Sequence, residues 1–344
     1  MDFKIKTHCT SIYTIAEIGQ AHEGSLGMLY AYIDAVAKTG VDAIKFQTHM
    51  AHAESSEFEP FRVKFSKQDQ TRYEYWERMS FTQEQWNEIG EYTKAKGLDF
   101  ISSPFSNAAV DLLEEAKVDV YKIGSGEVTN LLLLEKIAQT QKPVIISSGM
   151  SSYQELDDAV QFLLERKADV SILQCTTAYP TQPEQYGLNV ITELQKRYPN
   201  LKIGFSDHSG TIATGIAAST LGAEILEFHV VFHKDMFGPD VEASLTLEET
   251  STLVEATKKI YTALKNPMDK ANHQEFSSLK AIFEKSLAVN KDLPKGHVVC
   301  FEDLEAKKPK GYGIDASSYQ ALIGKKLVKD MKAWAFLTDD DIKN

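Results

Sequence analysis

The sequence predicts a (β/α)8 barrel followed by a small β-rich domain, and three observations carry that expectation. Eight apolar, β-branched segments recur between residues 11 and 230, a helical pattern follows each, and the texture of the chain changes after residue 265. Strands buried on both faces read as unbroken apolar runs, and parallel strands need crossover helices. The 344 residues also exceed the roughly 250 of a typical barrel, which leaves room for a second domain.

The strand segments are 11–19 (SIYTIAEIG), 42–48 (DAIKFQT), 99–105 (DFISSPF), 120–126 (VYKIGSG), 143–149 (PVIISSG), 171–177 (SILQCTT), 202–208 (KIGFSDH) and 224–230 (EILEFHV). Helical patterns such as LGMLYAYIDAVAKTG and YQELDDAVQFLLERK separate them. Their C-terminal ends carry Glu17, Lys45 with Gln47, Ser103, Lys122 with Glu127, Ser148, Thr177, His208 and His229. In a barrel those ends meet on one face, where active sites form. Reactive tips on apolar strands point to an enzyme.

The connection at 49–82 breaks the rhythm, because βα loops usually run about 2–6 residues. It is rich in Phe, Tyr, Trp and Arg and is expected to be a lid over the barrel mouth; an oligomer contact is the plainer alternative. The last barrel helix is expected at 246–264, making residues 1–265 the catalytic domain. NPMDKANHQEF and its surroundings, 266–280, read as a linker, and 281–344 as a compact module of short β runs and turns. That module carries 11 lysines against 10 acidic residues, whereas the rest has 26 basic against 39 acidic ones. The acidity therefore belongs to the barrel.

A net charge of −12 argues against nucleic acid as a partner, since phosphate backbones favour basic surfaces. No stretch approaches the roughly 20 apolar residues of a membrane span, and MDFKIKTHCTS has no secretory apolar core. Cys9, Cys175 and Cys300 are odd in number and widely spaced, which fits free thiols and a cytoplasmic setting.

The strand-tip motifs occur together in an order that matters. AEIGQAHEG (16–24), IKFQTH (44–49), SSPF (102–105), YKIGSGEVTN (121–130), SSGM (147–150), QCTTAYP (174–180), GFSDHSG (204–210) and LEFHVVFHKDMFGPDVEASL (226–245) together resemble the sialic acid synthase family. KSLAVNKDLPKGHVVCFEDLEAKKPKGYGI (285–314) with LIGKK (322–326) resembles the antifreeze-like (SAF) domain at that family's C-terminus. The resemblance implies condensation of phosphoenolpyruvate with a 2-acylamino hexose aldehyde, giving a nine-carbon 3-deoxy-2-keto acid and phosphate. It also implies a domain-swapped homodimer.

Phosphoenolpyruvate needs cations and dense hydrogen-bond donors, and lysine meets phosphate as a point charge. Lys45 and Lys122 supply the charges; the resemblance adds Ser103, Ser125, Thr177 and Ser206, each of which taken alone would read as a strand-end cap. His208 and His229 end adjacent strands about 4.8 Å apart, close enough to share one ion. Resemblance makes that ion divalent, commonly Mn²⁺, with Mg²⁺ or Co²⁺ as alternatives. Glu17 and Glu127 are carboxylates on apolar strands, where an unpaired charge is costly. By resemblance Glu127 handles the water that adds at C2 and Glu17 a sugar hydroxyl. Gln47, Tyr179, Asp240 and Lys308 are the implied sugar contacts.

Three departures concentrate on the acceptor side. Ala21, preceded by Gln20, replaces the usual Asn; Val241 follows Asp240 where relatives often carry His; and Lys308, in KKPKGYG, takes the place of an Arg that reaches across a dimer to the N-acyl group. Lysine lacks arginine's planar fork. The acceptor is thus expected to be N-acetylmannosamine or a 2,4-diacetamido-6-deoxy hexose. Two rival readings stand beside this one: a synthase acting on a phosphorylated sugar, with Arg62, Lys64 and Arg72 as phosphate contacts, and a non-catalytic sugar-binding or scaffold barrel.

Overall fold

The computed structural model describes residues 11–271 and 274–343. Cys9 lies outside the described residues; Cys175 and Cys300 are free thiols. The chain divides into two compact units, residues 1–266 and 267–344.

The first unit is a closed barrel of eight parallel strands in sequence order. They are β1 (Tyr13–Glu17), β2 (Ala43–Thr48), β3 (Asp99–Pro104), β4 (Val120–Ile123), β5 (Val144–Ser147), β6 (Val170–Cys175), β7 (Lys202–Asp207) and β8 (Ile225–Val231). The register of β1 on β8, from Tyr13 opposite Ile225 to Glu17 opposite His229, closes the ring. A ninth strand, β9 (Ser244–Thr246), continues β8's edge where β7 stops. Helices α1 (Leu26–Val36), α2 (Ala51–Glu54), α3 (Arg72–Met79), α4 (Gln83–Ala95), α5 (Asn107–Glu115), α6 (Leu131–Gln139), α7 (Tyr153–Glu165), α8 (Leu188–Arg197), α9 (Ile212–Thr220) and α10 (Leu247–Lys265) connect the strands. Reciprocal capping boxes open α7, with Ser152 and Glu155, and α10, with Thr246 and Glu249.

Side-chain alternation along the strands positions the site. Tyr13, Ile15, Ala43, Ile101, Val120, Ile145, Leu173 and Ile225 form one apolar cluster inside the barrel, separate from the larger one between strands and helices. Side chains two residues apart on a strand share a face. One step beyond this plug therefore come Glu17, Lys45, Ser103, Lys122, Ser147, Cys175 and Glu227, and His229 follows Glu227 by the same step. On β7 the plug position is Gly204, where a Cβ would stand 2.3 Å from the Ile225 carbonyl oxygen. The glycine lets β8 and Leu173 close over the gap, and Ser206 and His208 continue its face.

The 49–82 connection folds as α2, an irregular stretch and α3. Its own apolar cluster joins Ala51, Tyr75, Trp76 and Met79, with Phe61, Phe65 and Tyr73 against them. Thr71 and Glu74 cap α3 reciprocally, and Arg78 pins the segment to Asp69 (2.7 Å) and Glu23 (3.0 Å).

The second unit holds α11 (Ser277–Phe283), β10 (Ser286–Val289), β11 (Leu304–Lys307), β12 (Lys326–Leu327) and β13 (Ile342–Lys343), paired as two antiparallel ribbons. A core of Leu287, Val289, Leu293, Val299, Leu322, Leu327, Met331 and Leu337 holds it together. Two expectations change here. The stretch 266–280 is not a plain linker, because α11 begins at Ser277 inside it. SSYQALIG, which reads as helical, winds only as a 3-10 turn over Ala316–Ala321.

Candidate active site

At the C-terminal ends of the strands the barrel opens into a cavity of about 540 Å³. Its wall includes Lys45, Gln47, Ser103, Lys122, Ser125, Glu127, Thr177, Tyr179, Ser206, His208, His229 and Asp240, twelve of the fourteen residues given a catalytic, substrate or metal role above; the strand-tip Ser148 is not on it.

The two exceptions differ in kind. Glu17 is fully buried and lies off the cavity wall. Its carboxylate pairs with Lys45 Nζ at 2.5 Å and accepts from Gln47 Nε2 at 2.8 Å. It therefore orients two wall residues, Lys45 and Gln47. Lys308 lies in the second unit, exposed, with its ammonium 4.7 Å from the centre of the Phe283 ring.

The floor is a buried ion network. Glu227 Oε1 stands 3.2 Å from Lys122 Nζ and 3.7 Å from Lys45 Nζ, and it accepts a hydrogen bond from Ser206 Oγ at 3.0 Å. Burial works against the Glu227 charge, but the two lysines outweigh it and hold its pKa down at about 2. Burial likewise disfavours charge on both lysines. Glu17 and Glu227 overcome that for Lys45, whose pKa rises, whereas Lys122 has less compensation and its pKa falls. Sequence reasoning missed Glu227. The signal was available: it sits two residues before His229 on the same strand face. Ser147 and Cys175, also on the wall, follow from the same alternation.

Beside this network the hydroxyls of Ser103, Ser125, Ser147, Thr177 and Ser206 line the cavity with Gly124 and Gly126. Gly149 explains how the strand 4, 5 and 6 tips come so close. A Cβ there would lie 2.5 Å from Thr177 Oγ1 and 2.7 Å from Ser125 Oγ, and its backbone N–H donates to Ser125 Oγ at 3.1 Å. Glu127, on a 3-10 turn after β4, is half-buried and accepts from Asn130 Nδ2 at 2.8 Å; burial raises its pKa.

The imidazoles of His208 and His229 face one another with ring centres 5.3 Å apart. His208 Nδ1–H donates to the Thr176 carbonyl at 2.9 Å, which leaves Nε2 as the nitrogen free to bind a metal. Burial lowers the His229 pKa to about 3, so its ring is neutral, the form that ligates. This pair fits a divalent cation whose shell water and substrate oxygens would complete. Among the described residues no cluster of three His, Cys, Asp or Glu side chains is placed to hold one without such oxygens.

The 49–82 segment builds the outer wall with His49, Glu54, Glu59, Arg62, Val63, Phe65, Arg72 and Trp76. Arg62 lies 4.5 Å over the Tyr179 ring and 3.6 Å from Asp240, and Arg72 Nε lies 3.5 Å from Glu59. Lys64 is exposed and off the wall, so it is not the cavity contact the sequence suggested. Gln20, at one of the departures noted above, joins the wall; Ala21 does not.

A closed parallel barrel with cations, hydroxyls and imidazoles gathered at its strand tips defines a barrel enzyme of the phosphate-handling kind. Residues 32–269 match the NeuB family, and the chain belongs to that family. It is 32% identical to the N,N'-diacetyllegionaminic acid synthase of Campylobacter jejuni, over 92% of this chain and 96% of that one. It is 33% identical to the human N-acetylneuraminate-9-phosphate synthase (92% and 88%) and 32% identical to the pseudaminic acid synthase of Helicobacter pylori (96% and 97%). Among solved structures, the N-acetylneuraminic acid synthetase of Leptospira borgpetersenii in complex with citrate superposes with a TM-score of 0.68 at 27% identity, covering 78% of this chain and 90% of that one.

Proposed function

We propose that this chain is a nonulosonic acid synthase that condenses phosphoenolpyruvate with a 2-acylamino hexose aldehyde, releasing a nine-carbon 3-deoxy-2-keto acid and phosphate. The observation that carries the reading is the floor of the cavity, where two buried lysines share Glu227 beneath five hydroxyls. Phosphoenolpyruvate is small and polyanionic, and Lys45 and Lys122 would hold its charges while Ser103, Ser125, Thr177 and Ser206 bind its oxygens. Gln47, Tyr179 and Asp240 would hold the acceptor above it.

In this reading C3 of phosphoenolpyruvate bonds to the aldehyde carbon, whose oxygen takes up a proton. Water adds at C2 and gives a proton to Glu127, whose raised pKa suits a base that must later return it. The C2–O bond to phosphate then breaks as the ketone forms; the two protons of the added water end on the departing phosphate and on the new hydroxyl, Glu127 returning the one it holds. A divalent ion, held by His208 and His229 and proposed as Mn²⁺, would supply Lewis acidity at the aldehyde oxygen. The tail's resemblance to an antifreeze-like domain supports a swapped homodimer in which Lys308 reaches the partner's acceptor, in a cytoplasmic enzyme.

The test is phosphate release from phosphoenolpyruvate with Mn²⁺ across N-acetylmannosamine, its 6-phosphate and a 2,4-diacetamido-6-deoxy hexose, with an EDTA control. Release that depends on one sugar and stops with EDTA is expected. Absence of release with every sugar, together with no binding of phosphoenolpyruvate, would favour the non-catalytic barrel.

A further inference from the structure

His49 has no part in the reading above, yet its side chain is held on every side. Its ring lies flat between Trp76, with centres 3.6 Å apart and planes at 15°, and Phe105, at 4.5 Å and 6°. Glu54 Oε1, from helix α2 of the 49–82 segment, accepts from His49 Nδ1 at 2.7 Å. The other nitrogen, Nε2, meets both amides of the wall: Gln20 Nε2 stands 3.1 Å from it and Gln47 Oε1 3.2 Å.

The consequence runs on through two amides. Gln20 Nε2, drawn to His49, also donates to Gln47 Oε1. Gln47 Nε2 in turn donates to Glu17 Oε1, and Glu17 pairs with Lys45. Each amide thus has one permitted orientation. Turning Gln47 over would set its oxygen against the Glu17 carboxylate and its NH₂ against that of Gln20. Gln47 lines the cavity, so its amide is held where the cavity meets it. Glu54 is itself only 6% exposed, so His49 is braced from inside the fold and not by solvent.

We propose that His49 is a positioning residue: braced by Glu54, it meets the Gln20 and Gln47 amides through Nε2 and so holds in place the hydrogen-bonding groups that the acceptor meets. This rests on the acceptor reading of the cavity given above. It also assigns a use to the long β2–α4 segment, since α2 supplies the carboxylate that begins the chain.

The test is steady-state kinetics of the full chain with phosphoenolpyruvate, Mn²⁺ and whichever of the three sugars the wild type turns over. His49→Leu keeps an apolar body between the rings and removes both nitrogens; His49→Gln restores a side-chain amide that can meet Gln20 and Gln47. The acceptor KM is expected to rise about tenfold in His49→Leu, with the phosphoenolpyruvate KM within about twofold, and to return most of the way in His49→Gln. Glu54→Gln, which leaves the ring in place, is expected to shift the same KM by a smaller factor and covers the case in which His49→Leu fails to fold. Equal losses for both substrates, no rescue by glutamine, or an unchanged acceptor KM in Glu54→Gln would overturn the assignment. A wild type that releases no phosphate with any sugar would instead remove the acceptor reading, and this inference with it.

Discussion

The floor and the outer wall of the cavity are both lined with paired charges, yet they behave as opposites. On the floor, Lys45, Lys122, Glu17 and Glu227 are all buried and share one another's charge across four strand tips. On the wall, Arg62 is about half exposed against Asp240, and Arg72 and Glu59 are a loose pair at 3.5 Å. A buried charge has only its partners for solvent, so removing one leaves the rest uncompensated at a cost of about 3–5 kcal/mol. An exposed pair exchanges its partner for water and contributes about 0–1 kcal/mol. A substitution on the floor is therefore costly, whereas one on the wall is cheap.

The sharpest way to break this comparison is Lys122→Met. It strands Glu227 beside a single remaining lysine, and a stability loss of about 3–5 kcal/mol by denaturant melt is expected, with phosphate release down by roughly a thousandfold. A melt like that of the wild type would show that the floor tolerates unbalanced charge.

Glu127→Gln tests a carboxylate set between the two regions, with an expected fall in rate of about 10²–10⁴-fold. The sign of its pH dependence follows from burial. The folded protein disfavours the carboxylate, so the pKa is raised, and the basic form is lost as pH falls through a point above the usual carboxylate range. The wild-type rate should decline on that acid limb, and the limb should vanish in Glu127→Gln. Because a raised carboxylate pKa opposes folding above it, the variant should be no less stable at neutral pH. A persistent acid limb would assign it to another group.

The smallest effect is expected on the wall. Arg62→Ala should raise the acceptor KM by about two- to fivefold, leave the phosphoenolpyruvate KM alone and change stability by less than about 1 kcal/mol. A stability loss as large as that of Lys122→Met would erase the distinction between floor and wall.

How far this was legible in the sequence follows the same division. Lys45, Ser103, Lys122, His208 and His229 could be named because strand ends reach the barrel mouth whatever the loops do, whereas Ser206 came from the family resemblance; side-chain alternation gives Ser206 too. Glu227 was equally legible by that rule, two residues before His229 on the same strand face. Glu17 was legible only in part. Its position at a strand tip is local, but its burial depends on Gln47 and Lys45 from the next strand leaning over it. His49 and Glu54 gave no signal, since five residues of separation mean nothing until α2 turns back and two aromatic rings clamp the imidazole. The helix at Ser277–Phe283 hid in a polar stretch that composition alone reads as a linker.

By itself the sequence determined the barrel, its order and which side chains end its strands, because unbroken apolar strand runs alternating with amphipathic helices are local patterns that admit few closed arrangements. Only the tertiary structure decided which charges are buried together, which carboxylate faces the cavity and how the amides point. Those depend on the solvent each group has lost and on partners from distant strands, and neither is written in any local stretch of chain.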